Sequence, residues 1–382
     1  MTNSVLQNVQ PPTTILVVED QPEVQQALRM LLAPYGHDVT LASTPEEALE
    51  DVARCRFDLV LLDMNYRRDT TSGTEGLQLL SLLRSRGIDA PVIAMTAWGS
   101  VEVAVQAMHG GACDFVQKPW DNHHLLRLVD QHIYEERRKR QIRNREEREW
   151  QEAAAVHRRL MPHDVPQFAG LSLAAISKPA GYIGGDYYDF FSMGEKLAIC
   201  IGDVVGKGLP AALMMSNLQA AVKVTAAHWV APSEVCHNVN ELACSNGASD
   251  KFISFFYAVL DLPTRQLTYS NCGHNQPILL RANGSVERLH LGGTLIGLNC
   301  NEHFQEGVLQ LNRGDRLLLF TDGLSEAEDA DLQAYGEERL IETLRTARGS
   351  VKSVLDFVFA DVNGHCKSRF QDDVTAVMLF AD

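Results

Sequence analysis

The chain has 382 residues, 45% of them hydrophobic, and a formal net charge of −15. That length exceeds what one hydrophobic core organises, so two domains are expected, and the acidic balance argues against a nucleic-acid partner, which needs a basic face. The opening MTNSVLQNVQPPTT lacks the basic and apolar regions of a leader, and no run approaches the roughly 18 apolar residues that span a bilayer, so no membrane partner and a cytoplasmic location are expected.

From residue 14 to 133, short apolar runs such as ILVVE, DVTLAS, DLVLLD, PVIAMTA and DFVQKP alternate with amphipathic stretches such as QQALRMLLAPYG, EEALEDVARC and GLQLLSLLRSRG. Strand and helix taking turns at this interval predict an α/β, doubly wound parallel sheet. Residues 134–161 are free of Pro and Gly and rich in Arg, Glu and Gln, which predicts a helical linker. Its apolar positions keep no strict heptad, and its basic run RRKRQIRNREER carries acids throughout, the pattern of a solvated helix.

Residues 162–382 change texture after Pro162, Pro166 and Gly170. Consecutive strand-like runs (LSLAAI, KLAICIGDVV, SFFYAVLDL, QLTYSNCG, QPILLRA, RLLLFTDG, VTAVMLF) surround two helical stretches, LPAALMMSNLQAAVKVTAAHW and PSEVCHNVNELAC, which predicts antiparallel sheet in an α+β arrangement. The eight cysteines are scattered singly with no CxxC pair and read as reduced core residues.

In an open parallel sheet, functional groups collect at the carboxyl ends of the strands. Here those ends carry Glu19 and Asp20, Asp63, Thr96, and Lys118 followed by Pro119. Any one of these alone reads as a cap or loop charge, but three acids in one crevice repel one another unless a hard divalent cation such as Mg²⁺ neutralises them. With VVED (17–20), LLDMN (61–65), MTAWGS (95–100) and DFVQKP (114–119) in this order, the segment resembles the receiver domain of two-component response regulators. The resemblance implies that Asp63 accepts a phosphoryl group from a sensor histidine kinase and that Glu19, Asp20, Asp63 and the Asn65 carbonyl hold Mg²⁺. It further implies that Thr96 and Lys118 contact the phosphoryl oxygens and that Phe115 is a rotating aromatic switch. The loop NYRRDTTSGTEG after Asp63 is longer than usual and lacks the common Met-Pro.

Four acidic stretches stand at strand borders of the second domain: GGDYYDFF with Asp186 and Asp189, IGDVVGKG with Asp203, FTDGLSEAE with Asp322, and QDDVTAV with Asp372 and Asp373. Each fragment alone is a common turn signal. Converging, they would suit two oxygen-loving ions, Mn²⁺ or Mg²⁺, which can generate hydroxide in line with a phosphate ester. GDVVGKG lacks the spacing and final Ser/Thr of a phosphate-cradling loop.

Taken in order, PAGYIGGDYYDF, GDVVGKGLPAALMM, SNCGHNQP, GDRLLLFTDGLSEA and FQDDVTAVML resemble the sporulation-type branch of the PPM (PP2C-like) Ser/Thr phosphatases. The resemblance implies a PP2C-like β-sandwich with Asp186, Asp203, Asp322 and Asp372 as metal ligands, the Val204 carbonyl as a backbone ligand and the adjacent Asp373 as a further candidate ligand, with either Asp372 or Asp373 as the primary one. Asp189 maps onto no ligand, and the phosphate-steering arginine of the eukaryotic relatives has no counterpart, with Lys178 and Lys207 nearby. The expected function is a phosphorylation-controlled phosphatase acting on a STAS-domain anti-sigma-factor antagonist, with a homodimer formed through the linker helix. The alternative is a catalytically inactive platform for regulated protein binding. A DNA-binding regulator finds no recognition-helix pattern after the receiver.

Overall fold

A computed structural model of the protein describes residues 13–65, 73–97, 101–228, 231–245 and 251–382. Backbone contacts divide the chain into two units, Met1–Glu147 and Arg148–Asp382.

In the first unit, strands β1 (Thr13–Val18), β2 (His37–Ala42), β3 (Leu59–Asp63), β4 (Val92–Thr96) and β5 (Asp114–Gln117) alternate with helices α1 (Pro22–Leu32), α2 (Pro45–Arg54), α3 (Thr74–Ser85), α4 (Val101–His109) and α5 (Asn122–Leu160). The sheet order is β2-β1-β3-β4-β5, and every pairing is parallel. The two-residue period of β1 explains the double winding: Ile15 and Val17 pack with Leu28 of α1 and Leu125 and Val129 of α5, while Leu16 and Val18 pack with Ala48, Leu79 and Val103 of α2, α3 and α4. The doubly wound α/β expectation is met. Close approach brings α3 beside the end of β3, where a Cβ on Gly76 would stand 2.5 Å from Met64 Cα.

The second unit contains β6 (Leu171–Lys178), β7 (Tyr187–Met193), β8 (Lys196–Val204), α6 (Gly208–Ala226), α7 (Pro232–Ser245), β9 (Ile253–Asp261), β10 (Gln266–Cys272), β11 (Ile278–Leu280), β12 (Val286–Arg288), β13 (Gly292–Gly293), β14 (Gly307–Gln310), β15 (Arg316–Phe320), α8 (Asp322–Ser325), α9 (Glu337–Thr346), α10 (Val351–His365) and β16 (Val374–Ala381). One sheet runs β13-β10-β9-β8-β7, with β14 also on β10, and the other runs β12-β11-β15-β16-β6. Between them lies a core of Leu197, Ile199, Ile201, Phe256, Leu317, Leu319, Val377 and Leu379. The alternate residues face outward onto helices. Cys200, Phe255 and Tyr257 meet Met215, Leu218 and Val239 of α6 and α7, and Leu318, Phe320 and Met378 meet Leu340, Val354 and Val358 of α9 and α10. The result is an α-β-β-α sandwich, as the resemblance implied.

Three details differ from the sequence reading. The helix expected over the linker is continuous with the receiver's last helix, since no Pro or Gly interrupts Asn122–Leu160. Helices α9 and α10 were not expected; α9 buries only Leu340, Thr343 and Leu344 of a charge-rich segment, and α10 reads as a broken apolar run that leaves Phe357 exposed. The cysteines are not all reduced core residues: Cys244 and Cys300 form a disulfide, brought within a Cα–Cα distance of 5.9 Å although 56 residues apart. Asn240 ties the end of α7 to that turn, its side chain donating to the Asn299 carbonyl and accepting from Gly297 N–H. The other six are free, with Cys200, Cys236, Cys272 and Cys366 buried. Residues 66–72 of the long loop and 98–100 of the MTAWGS stretch lie outside the described residues. Among the described residues no helix is long and apolar enough to cross a membrane.

Candidate phosphoacceptor and metal-dependent active site

In the first unit the parallel sheet brings the ends of β1, β3, β4 and β5 side by side. Carboxylate oxygens of Glu19, Asp20 and Asp63 all lie within 4.8 Å of one another. Glu19 and Asp63 are buried, and the Lys118 ammonium reaches both, 2.6 Å from Glu19 Oε2 and 3.0 Å from Asp63 Oδ1. Burial, reinforced by Asp63, pushes the Glu19 carboxyl up to about 7. Burial also raises Asp63, against the opposing pull of Lys118. One ammonium cannot offset three carboxylates, and the Asn65 side-chain oxygen is buried beside them with no hydrogen bond. This donor set fits a hard divalent cation. Thr96 is buried at the end of β4, where its carbonyl accepts from Lys118 N–H at 2.8 Å, whereas Phe115 on β5 is 45% exposed.

In the second unit the acids come from matching ends of the two sheets. Asp186 precedes β7 and Asp203 lies near the end of its partner β8; Asp322 follows β15 and Asp372 precedes its partner β16. Asp186 is buried, its Oδ2 accepting from Thr321 Oγ1 at 2.8 Å. Its Oδ1 is buried with no hydrogen bond of good geometry, close to Thr375 and Asp203. Burial first, and then Asp203, holds the Asp186 carboxyl well above its ordinary range. Burial, then Asp322 and Asp372, pushes Asp203 up to about 7. Asp322 is raised by burial and by Asp372. These carboxylates feel one another without forming a tight triad: among the described residues, the only group of three within 4.8 Å is the one in the receiver. A site this wide, with a buried oxygen lacking a donor, fits more than one cation. The Val204 carbonyl belongs to the same end, 3.1 Å from where a Cβ on Gly185 would stand.

Neighbouring residues divide into distinct tasks. Asp373 is buried, and both its oxygens are taken by backbone donors, Ala180 N–H at 2.8 Å and Gly185 N–H at 2.7 Å. A Cβ on Gly184 would overlap that carboxylate. Asp372 instead meets Lys207, whose ammonium is 2.8 Å from its Oδ2. Lys178 lies elsewhere, over the rings of Phe359 and Phe370. Asp189 is buried among core residues, accepting from Tyr187 hydroxyl at 2.9 Å and from Phe190 N–H at 2.8 Å. His274 is buried, its Nδ1 2.8 Å from Ser254 Oγ, and burial holds it down to about 4.

Sequence reasoning missed Thr321 and Thr375, whose signal was a hydroxyl at the edge of an otherwise apolar strand. It also missed His157 on α5, whose Nε2 meets the Gly184 carbonyl at 2.9 Å. Nothing in the one-dimensional pattern marks that contact.

Comparison with known proteins agrees with both halves. Residues 15–130 match the family model for the response regulator receiver domain, and residues 193–381 match that for stage II sporulation protein E (SpoIIE). Phosphoserine phosphatase RsbU of Bacillus subtilis is 32% identical over 235 residues, covering 59% of this chain and 68% of RsbU. Protein IcfG of Synechocystis is 28% identical over 263 residues, covering 61% of this chain and 41% of IcfG. Response regulator protein FleR of Pseudomonas aeruginosa is 41% identical over 118 residues, covering 31% of this chain and 24% of FleR. Among solved structures, the RsbU and RsbW domains of a Mycobacterium tuberculosis protein superpose with a TM-score of 0.50 at 26% identity, covering 58% of this chain and 63% of that one. The SiaA-PP2C domain of Pseudomonas aeruginosa shares the fold, with a TM-score of 0.55 at 20% identity over 63% of this chain and 99% of that one. Fold and site together define a metal-dependent, PP2C-type protein phosphatase preceded by a receiver. The chain belongs to the SpoIIE phosphatase family. Its matched segment begins at residue 193, so the position of Asp186 rests on the geometry above.

Proposed function

We propose that the protein removes phosphate from phosphoserine or phosphothreonine on a STAS-domain protein, in the cytoplasm, under the control of phosphorylation at Asp63. The observation that carries the reading is Asp186: a buried carboxylate whose neighbour is a second carboxylate, Asp203, and whose inner oxygen has no good donor. Such a pair is costly unless cations fill the gap. Asp186, Asp203, Asp322, Asp372 and the Val204 carbonyl would hold two Mn²⁺ or Mg²⁺ ions, which supply Lewis acidity and a water acidic enough to ionise at neutral pH. Thr321 orients Asp186 and Asp373 fixes the backbone at 180–185. A protein-binding platform without catalysis would have no use for this ligand set.

In the receiver, Asp63 attacks the phosphorus of a phosphohistidine donor; a P–O bond forms as the P–N bond breaks, and the imidazole departs with its electron pair. Lys118, already in contact with Asp63, would shift to the phosphoryl oxygens, and Glu19, Asp20, Asp63 and the Asn65 carbonyl would hold Mg²⁺, which offsets the accumulating charge. Thr96 and Phe115 would turn with the new group. Along α5, Tyr134, Ile142 and Val156 are exposed, which suits pairing of two linker helices in a homodimer.

The test is hydrolysis of p-nitrophenyl phosphate and of a phosphoserine STAS protein with Mn²⁺, with and without acetyl phosphate. Turnover is expected in the wild type, absent after chelation and lost in Asp203→Asn and Asp322→Asn. Turnover that ignores both substitutions overturns the reading.

A further inference from the structure

Beside the acid cluster, within the second unit, lies a cavity of about 370 Å³ with almost wholly apolar walls. Trp150 of α5 and Tyr182 form one side, their rings stacked at a centroid distance of 6.0 Å and an interplanar angle of 16°. Ala180 and Ile183 add aliphatic surface, Ile183 being anchored against Ala154 and Ala212. At the remaining edge stand Lys207 and Asp373. Lys207 therefore borders both features, since its ammonium is 2.8 Å from the Asp372 carboxylate while its side chain helps to line the cavity.

The two linings ask for different chemistry. Carboxylates, the ions they would hold and an ammonium recognise a phosphate and nothing apolar. A stacked indole and phenol recognise an apolar side chain and nothing charged. An extended peptide advances about 3.3–3.6 Å per residue, so a chain whose phosphorylated residue sits at the acids carries its neighbours past Lys207 within one or two positions. The wall is held firmly enough to select shape. Asp373 fixes both Ala180 and Gly185 through their N–H groups, and His157 holds the Gly184 carbonyl.

We propose that this cavity is a specificity subsite of the phosphatase, receiving an apolar side chain one or two positions from the phosphorylated serine or threonine. The proposal rests on the phosphatase reading above and sharpens its substrate: a phosphoprotein with a large apolar residue flanking the phosphorylation site. Trp150 and Tyr182 select that residue, and Lys207 marks the boundary between phosphate and subsite. Because Trp150 belongs to α5, the linker helix supplies part of the substrate surface.

The experiment uses the full chain in Mn²⁺, with and without acetyl phosphate, and a phosphoserine peptide series in which Leu is moved through positions −2 to +2 on a Gly/Ser background. At the fitting position Leu raises kcat/KM over Gly by about tenfold or more, the return from burying one such side chain. That Leu-to-Gly ratio falls towards unity in Trp150→Ala and is restored in Trp150→Phe; a ratio taken within each variant cancels any general loss of folded enzyme. A second arm measures, by fluorescence anisotropy, the Kd of the same peptides carrying a non-hydrolysable phosphonate in place of phosphoserine, and expects the same preference. A wild type that turns over or binds every peptide equally, or a preference that survives Trp150→Ala, overturns the subsite. Binding preference without turnover of any peptide or of p-nitrophenyl phosphate supports the subsite and defeats the phosphatase reading instead.

Discussion

The Thr321 hydroxyl donates to Asp186 Oδ2 at 2.8 Å, joining the end of β15 in one sheet to the start of β7 in the other. Thr375 N–H donates in turn to Thr321 Oγ1 at 2.9 Å, which leaves the Thr321 proton free to point at the carboxylate. The first acid of the site is thus aimed by the opposite sheet. Thr321→Val keeps the shape and removes the donor, and is expected to weaken Mn²⁺ affinity by about 10–100-fold. Isothermal titration of the metal checks this, and an unchanged affinity would show that Asp186 needs no such orientation.

Asp372 and Asp373 are adjacent in sequence and have different partners. Asp373→Asn disturbs two charge-assisted bonds to backbone donors, one of them buried, and should cost about 2 kcal/mol in urea unfolding of metal-stripped protein. Asp372 is 39% exposed at its side chain and pairs with Lys207, so Asp372→Asn should change stability by less than about 1 kcal/mol while abolishing metal-dependent turnover. The reverse pattern of stability and activity would exchange their roles.

In the receiver, Lys118→Met leaves Glu19 and Asp63 facing each other without a cation. With the partial exposure of Lys118 discounted, the loss should be roughly 2–4 kcal/mol in Mg²⁺-free buffer. The sign with pH follows from Glu19, whose folded carboxyl is raised to about 7 by burial and Asp63. A raised carboxyl favours folding while protonated and loses that contribution as pH rises, and loss of the lowering pull of Lys118 raises Glu19 further, so the variant should be weaker at pH 8 than at pH 5. Mg²⁺ should recover most of the difference in a thermal melt, and uptake of phosphate from acetyl phosphate should still fail.

His274 gives a pH dependence outside both metal sites. Burial depresses it to about 4 from an ordinary value near 6.5. Its neutral form is the folded one, so its contribution is complete above pH 6.5 and is lost as pH falls through 4, by up to about 3 kcal/mol. Wild type should therefore lose more stability than His274→Gln between pH 7.5 and pH 4.5 in parallel urea titrations. Equal losses would mean that the imidazole is not held neutral.

The alternation of strand and helix in the first half, and the strand-rich second half, were legible because apolar period alone separates these elements. The candidate ligand types were legible only jointly, since a single acid at a strand border is as often a cap or turn residue, whereas several that converge repel one another unless a cation lies between them. Helices α9 and α10 were not, because α9 is short and rich in charge, and Val351–His365 breaks its buried apolar positions with an exposed Phe357 and carries Asn363 and Gly364 near its end. The Cys244–Cys300 pair was invisible too, as its partners meet only through the packing of the α7 end against the 297–300 turn.

What the sequence by itself determined is the inventory: two segments of different texture, their fold classes, and two sets of acids that, brought together, would call for divalent cations. Those properties follow from local periodicity and from the chemistry of each side chain, which a linear chain already carries. Only the tertiary structure decided which donors each acid meets. Asp373 and Asp189 are spent on backbone N–H groups and a tyrosine hydroxyl, Asp186 is left with a buried oxygen lacking a good donor, and Trp150 closes an apolar cavity beside Lys207. Each of these depends on which donors lie within about 3 Å of an oxygen, and that is set by the meeting of two sheets and a helix from distant parts of the chain.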